Sequence, residues 1–227
     1  MLIEAKLAPS TINVRLSALK SLVDYARKMG ECAFSLDDVP KLKTENYRDT
    51  TGIDAEVFKS VIKLADVNTV SGARDYAILR LLWDNALRRG EVCSLDVRDF
   101  SASGRKLMIL GKGKISKISI DLSSGARAAI SHWLELRRAT VLANATMVGS
   151  SRERGRYSDD DPMFIISLSR NQPGHRLGGS AIYAIVRQYC QEQAVEKIMS
   201  PHRLRHSIVR LRLTLMLQMG IFGQLKH

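Results

Sequence analysis

Apolar side chains recur along this chain mostly at helical spacing, and strand-like alternation is confined to short runs. Between residues 9 and 30, Ile12, Leu16, Leu19, Val23 and Ala26 fall on one helical face, while Arg15, Lys20, Arg27 and Lys28 lie elsewhere on it. Pro9-Ser10 predicts the start of this helix with Ser10 as its cap, and Gly30 predicts its end. Residues 31–53 are polar and turn-rich, so the helix has no sequence neighbour able to cover its apolar face. Residues 1–48 therefore read as half a domain, or an arm, with 49–53 as linker and 54–227 as a larger second domain.

Asp54 predicts the cap of a second helix whose apolar set is Val57, Phe58, Val61, Ile62 and Leu64. Residues 73–87 are apolar almost all round, which predicts a buried central helix. KLMIL (106–110), the turn GKGK (111–114) and ISKISIDL (115–122), where Ile118, Ile120 and Leu122 alternate, predict a β-hairpin. A further helix is expected over 123–138 with Ala129, Ile130, Trp133 and Leu134 inward, then a long loop over 140–162. MFIISL (163–168) reads as a strand, and Ser180 as the cap of a helix carrying Ile182, Ile185, Val186 and Tyr189. Ser200-Pro201, a capping residue followed by proline at the first turn, predicts the start of the last helix. The expected architecture is mainly α with a small antiparallel β-sheet (α+β).

Composition adds one strong statement. Of 227 residues, 35 are Lys or Arg and 23 Asp or Glu, a net charge of +12. A surplus of that size points to a polyanionic partner, because cations laid on phosphates release condensed counterions. Cys32, Cys93 and Cys190 are dispersed and form no CxxC, which argues against a disulfide framework or zinc site and for a reducing compartment. MLIEAKLAPS lacks the layout of a secretory signal, and no run reaches the ~20 apolar residues of a membrane span, so a cytoplasmic location is expected.

Three segments carry candidate chemistry. In NALRRGEV (85–92), Arg88 ends a buried stretch, and its planar fork suits two phosphate oxygens; the alternative is a local pair with Asp84 or Glu91. In LGKGK (110–114), Lys112 sits on a glycine-flanked hairpin tip, which taken alone is also an ordinary solvated turn. In SPHRLRHS (200–207), His202 and Arg205 lie three apart on one helical face, although a lone His near a helix start is commonly a capping or surface residue.

Taken together and in this order, the segments resemble the tyrosine recombinases, or phage-type integrases, which cut and rejoin DNA through a covalent phosphotyrosine. ALRRGEV resembles the family's G-L-R-x-S-E-L box, LGKGKISKISIDL its β-hairpin, and SPHRLRHS its H-x-L-R-H box; Arg88 and Lys112 stand 24 residues apart, the family's usual spacing. The resemblance implies a DNA breaking-rejoining catalytic domain, preceded by part of a helical core-binding domain in residues 1–48. It also implies double-stranded DNA as partner, further recombinase protomers assembled on that DNA, and neither metal nor cofactor. Arg88 and Arg205 would clamp the phosphate, Lys112 would protonate the leaving 5′ oxygen, and His202 would orient a phosphate oxygen or assist proton transfer.

The sequence departs from the family pattern at its end. Tyrosine stands at 25, 47, 76, 157, 183 and 189, all before His202, so no nucleophile is assigned; Tyr189 is expected in the core. The segment IVRLRLTLMLQMGIFGQLKH lacks the polar turn the family shows after this helix. Back-translating MLQMGIFGQ one frame away forces a Gly codon across Met219-Gly220 and allows such a turn. A frameshift shortly after Ser207 is therefore the expected cause, with His227 falling near the family's second His by coincidence. The leading expectation is a site-specific recombinase fragment, the remnant of a mobile element, that binds DNA without forming the covalent intermediate. The alternative is a non-catalytic DNA-binding or regulatory protein using the same fold.

Overall fold

The computed structural model describes residues 7–44, 52–111, 113–147, 158–165, 175–195 and 197–218. Two compact units divide the chain at Asp49/Thr50. In the first unit, α1 (Pro9–Lys28) is entered through Ala8 with Pro9 in its first turn, which leaves Ser10 inside the helix and without a capping hydrogen bond. Proline supplies the start here because its fixed φ suits the first turn and its missing N–H is not needed there. The helix ends as expected: Gly30 has φ +77°, its N–H bonds Arg27 O, and the N–H of Glu31 reaches back to Ala26 O. Those two bonds form a Schellman cap, in which only glycine adopts the left-handed turn without strain. Asn13 ties the helix to the following segment through paired bonds with the backbone of Leu42. No side chain of α1 is buried.

The second unit is built around α3 (Val70–Asp84), whose Ala77, Ile78, Leu79, Leu81 and Leu82 are all sealed from solvent. Thr69 caps it by accepting the N–H of Gly72. Against it pack α2 (Ala55–Lys63), α5 (Ser124–Met147), α6 (Gly179–Glu192) and α7 (Pro201–Gln218). Phe58 of α2 stacks on Trp83 of α3 with ring centroids 4.1 Å apart, and Trp133 of α5 donates its indole N–H to Met163 O. Burial on this scale, at roughly 25 cal/mol per Å² of apolar surface, is the main favourable contribution to folding.

Between α3 and α5 the chain makes the short helix α4 (Arg89–Cys93), a single 3-10 turn (Val97–Asp99) and a three-stranded antiparallel sheet. Strand β2 (Lys106–Ile109) pairs with β3 (Ile118–Asp121) as the hairpin expected from sequence, in the register Leu107↔Ile120 and Ile109↔Ile118. The additional strand β1 (Phe100–Ser101) pairs on the other edge of β2.

Four local expectations need correction. Helix α5 does not stop near residue 138 but runs to Met147, eight residues into the expected loop. Thr140, whose branched side chain weakens helical propensity, lies within the helix with its hydroxyl bonded to Leu136 O. The segment opened by Met163 is not a strand over its described residues: Pro162 and Ile165 make only isolated bridges to Asp96 and Arg176, while Met163, Phe164 and Ile165 are buried. Ser180 lies inside α6, which begins at Gly179 behind Gly178 and has no side-chain cap. Asp54 does occupy the cap position of α2, but its side chain makes no capping bond.

Candidate functional site

Helix α3 ends at Asp84, and the chain turns sharply at Ala86, which takes φ 50°. Leu87, 3% exposed, plugs this turn into the core, so the next residue emerges at a fixed point. That residue is Arg88, in the extended conformation at the cap position of α4. Its backbone N–H donates to Glu91 Oε2 at 2.7 Å and its Nη1 donates to Glu91 Oε1 at 2.8 Å. Of the two carboxylate partners open from sequence, Glu91 is therefore the one used; Asp84 is taken by Arg80 and Ser123. The carboxylate of Glu91 is buried at 5% exposure, whereas the side chain of Arg88 stays 52% exposed.

Arg205 approaches the same carboxylate from the other end of the unit. Ser200 caps α7, accepting the N–H of Arg203 at 3.2 Å, and Leu204, Ser207 and Ile208 bury the inner face of the helix. This places Arg205 Nη1 against the carbonyl of Ala86 and 3.9 Å from Glu91 Oε2. Partial burial, then the nearby charge of Arg88, lower the pKa of the Arg205 guanidinium from its ordinary value, against the opposing pull of Glu91. Two guanidiniums of like charge thus share one buried carboxylate, which sets their separation and leaves part of their donor forks outward.

His202 lies one turn before Arg205–His206 on α7 and is exposed. Its Nε2 is 2.9 Å from Nε2 of His206, with ring planes at 82°. Lys112 lies outside the described residues. The hairpin that carries it has Gly113 at φ 73°, and Lys114 closes the turn by bonding Gly111 O. The structure therefore brings Arg88 and Arg205 together and sets His202 on the helix that supplies Arg205.

Two supporting groups escaped the reading of the sequence. One is the shared role of Glu91, which the spacing of a cap residue and an acid three positions later could have signalled. The other is an ion cluster at the root of the hairpin: Lys117 bonds Asp99 at 2.6 Å and Asp96 at 3.2 Å, and Arg176 bonds Asp96 and the carbonyls of Cys93 and Leu95. Burial opposes both charged forms, yet the hydrogen bonds outweigh it. Those from Arg176 and Lys117 hold Asp96 below its usual pKa, and those to Asp99 and Asp96 hold Lys117 above its own. No sequence motif joins these residues, which are up to 83 positions apart.

Tyr189 is in the core, as expected, with its hydroxyl directed at Asp75; burial and that carboxylate push its pKa up to about 12. Such a phenol is neither accessible nor readily ionised. Among the described residues no group of three or more His, Cys, Asp or Glu side chains is arranged to hold a metal. No helix there is long and apolar enough to cross a membrane. Met219, Gly220 and His227, on which the frameshift expectation rests, lie outside the described residues.

Residues 52–220 match the model of the phage integrase family. A tyrosine recombinase of Synechocystis sp., slr0733, is 45% identical over 92% of this chain and 61% of its own length. One from Synechococcus elongatus, Synpcc7942_B2651, is 40% identical over 89% of this chain and 58% of its own. This chain thus spans about three fifths of the curated relatives it matches. Among solved structures, the XerH site-specific recombinase bound to difH substrate superposes with a TM-score of 0.61 at 16% identity, covering 94% of this chain and 57% of that one. A lambda integrase dimer bound to a COC′ core site gives 0.54 at 14% identity, over 100% and 74%. At those identities the likeness concerns the fold: mainly helical, with a small antiparallel sheet, as expected from the sequence.

Proposed function

This chain belongs to the phage integrase family of tyrosine recombinases, and on that premise we propose that its larger unit grips one phosphodiester of duplex DNA between Arg88 and Arg205 for site-specific strand transfer. The observation that carries this reading is the convergence of both guanidiniums, 117 positions apart in sequence, on buried Glu91. In-line attack on a phosphodiester spreads negative charge over the non-bridging oxygens, and two fixed cations stabilise it from two sides. A guanidinium serves better than an ammonium here, since its fork meets two oxygens at once. His202 would orient one phosphate oxygen or assist proton transfer, and Lys112 would protonate the departing 5′ oxygen. None of these steps requires a metal or cofactor.

The reaction also needs a nucleophile. None of the 38 residues after Tyr189 is a tyrosine, and Tyr189 is buried. The expected behaviour of this polypeptide on its own is DNA binding without a phosphotyrosine bond. Residues 1–48 would then be part of a core-binding domain, further protomers would join it on DNA, and the cytoplasm would be its location. Binding to duplex DNA, titrated across salt, tests the grip: log affinity should fall linearly with log salt, with a slope near −0.9 per phosphate contacted. Salt-independent or absent binding overturns the reading. A nicked suicide substrate tests the second part, because any covalent protein–DNA adduct would refute the expected inactivity.

A further inference from the structure

We propose that His202 and His206 form a two-histidine chelate for a divalent first-row transition ion of the Cu2+ or Ni2+ class, bound at the solvent face of α7. The two residues are four apart on one helix, the spacing at which adjacent turns present side chains to a single ion. Both are exposed, and their Nε2 atoms lie 2.9 Å apart with ring centroids at 4.3 Å. Metal–imidazole bonds are about 2.0–2.1 Å, so two nitrogens subtending a right angle at an ion stand about 2.9 Å apart. That is the separation already present. A tetrahedral ion needs a wider bite, whereas right-angle bites belong to the tetragonal and octahedral geometries of Cu2+ and Ni2+.

The pair is also prepared chemically. In the hydrogen-bond contact one Nε2 donates and the other accepts; an ion binds as the donor's proton moves to its Nδ1 or to solvent and both rings turn their Nε2 lone pairs toward the ion. The backbone beneath is held by the Ser200 cap and by buried Leu204, Ser207 and Ile208, so little ordering remains to oppose binding. No third His, Cys, Asp or Glu completes a cluster among the described residues, which leaves the other positions to water or an incoming oxygen ligand. Arg205, between the two histidines in sequence, adds a positive charge nearby and weakens the site relative to a bare pair.

The chelate stands on this geometry alone. Its consequence rests on the reading given above: an ion on Nε2 of His202 withholds that nitrogen from the DNA phosphate, so metal and phosphate contact by His202 exclude each other. The test uses the full chain without a histidine tag, titrated with CuCl2 and NiCl2 by calorimetry, with the Cu2+ form also examined by electron paramagnetic resonance. One ion should bind with two nitrogen ligands, and His202→Gln and His206→Gln should each weaken binding on the order of 100-fold, as expected for losing one arm of a bidentate contact. His175→Gln and His227→Gln should leave it unchanged. Circular dichroism should confirm folding of all four variants, since His202 and His206 are exposed. Equal affinity in wild type and His206→Gln, or a single-nitrogen signal, overturns the chelate. A chain that chelates but binds no DNA refutes the phosphate grip and leaves the chelate standing; the reverse result refutes the chelate alone.

Discussion

Replacing Glu91 by glutamine removes one charge from the centre of the site while keeping its shape. The carboxylate accepts two hydrogen bonds, from the N–H of Arg88 at 2.7 Å and from its Nη1 at 2.8 Å, and is buried at 5% exposure. A glutamine oxygen can keep one of these; its NH2 then faces a donor. Losing a hydrogen bond to a charged group costs about 1.5–3 kcal/mol. The half-exposed Arg88 recovers water, which reduces its share to about 1 kcal/mol. Placing a buried N–H against another donor adds about 1–2 kcal/mol. The sum, about 2–3 kcal/mol, corresponds to a fall in Tm of about 5–10 °C for a unit of this size. Thermal unfolding followed by circular dichroism without DNA reads this directly. Glu56→Gln is the control, since its pair with Lys59 is exposed on both sides and should shift Tm by less than ~2 °C. A Glu91→Gln shift no larger than that control would refute the claim that Glu91 organises the site.

Other outcomes follow from the same structure. Arg205→Ala should flatten the log–log salt dependence of DNA binding by about one unit, the signature of one lost phosphate contact; an unchanged slope would place Arg205 off the DNA. Lys117→Met should destabilise the larger unit by about 2–4 kcal/mol at neutral pH, because it strands buried Asp99. Asp96 is held below its ordinary 3.8, so its share of that stability exists above pH 3.8 and disappears as pH falls through its lowered pKa. Lys117 is held above 10.5, so its share persists up to that pH and is lost beyond it. Urea midpoints of wild type and variant should therefore differ by a constant amount from about pH 5 to 9 and converge in acid; a gap that grows in acid would reverse the assignment. Gly52→Ala should cost about 2 kcal/mol or more, since its Cβ would fall 1.6 Å from Ser207 Oγ, and a wild-type unfolding midpoint would contradict the contact. Sequencing the encoding DNA checks the frameshift: the alternative frame after codon 207 should continue to LxxH and then a tyrosine.

Local signals carried much of the fold. The buried helix over 73–87, the hairpin and the Ser200-Pro201 start each depend on neighbouring residues, and each is present with shifts of a few positions at most. Serines misled where a stronger neighbour decided the helix start: Pro9 displaced Ser10, and Gly178-Gly179 displaced Ser180. The end of α5 was hidden because Thr140 and Val141 weaken helical propensity without preventing the helix from continuing. Segment 163–165 looked like a strand because apolar runs of that length mark burial, and burial is what Met163, Phe164 and Ile165 share. In the site, Arg88, His202 and Arg205 were legible as types at spacings. The sharing of Glu91, and the tie between Lys117 and Asp99, depend on tertiary approach and have no local trace.

The bond from Arg205 to the carbonyl of Ala86 spans 119 residues. On a ribosome adding about 5–20 residues per second, Arg88 is made roughly 6–25 seconds before its partner. The central helix and hairpin can be synthesised and begin to condense within that interval, but the two-sided cationic grip has no second side until α7 emerges. Non-local closure of this kind is slow relative to helix formation. On the proposed reading, a nascent chain that meets nearby DNA during translation would present single cations and not a paired clamp, so its grip on a phosphodiester would be acquired in time as well as in space.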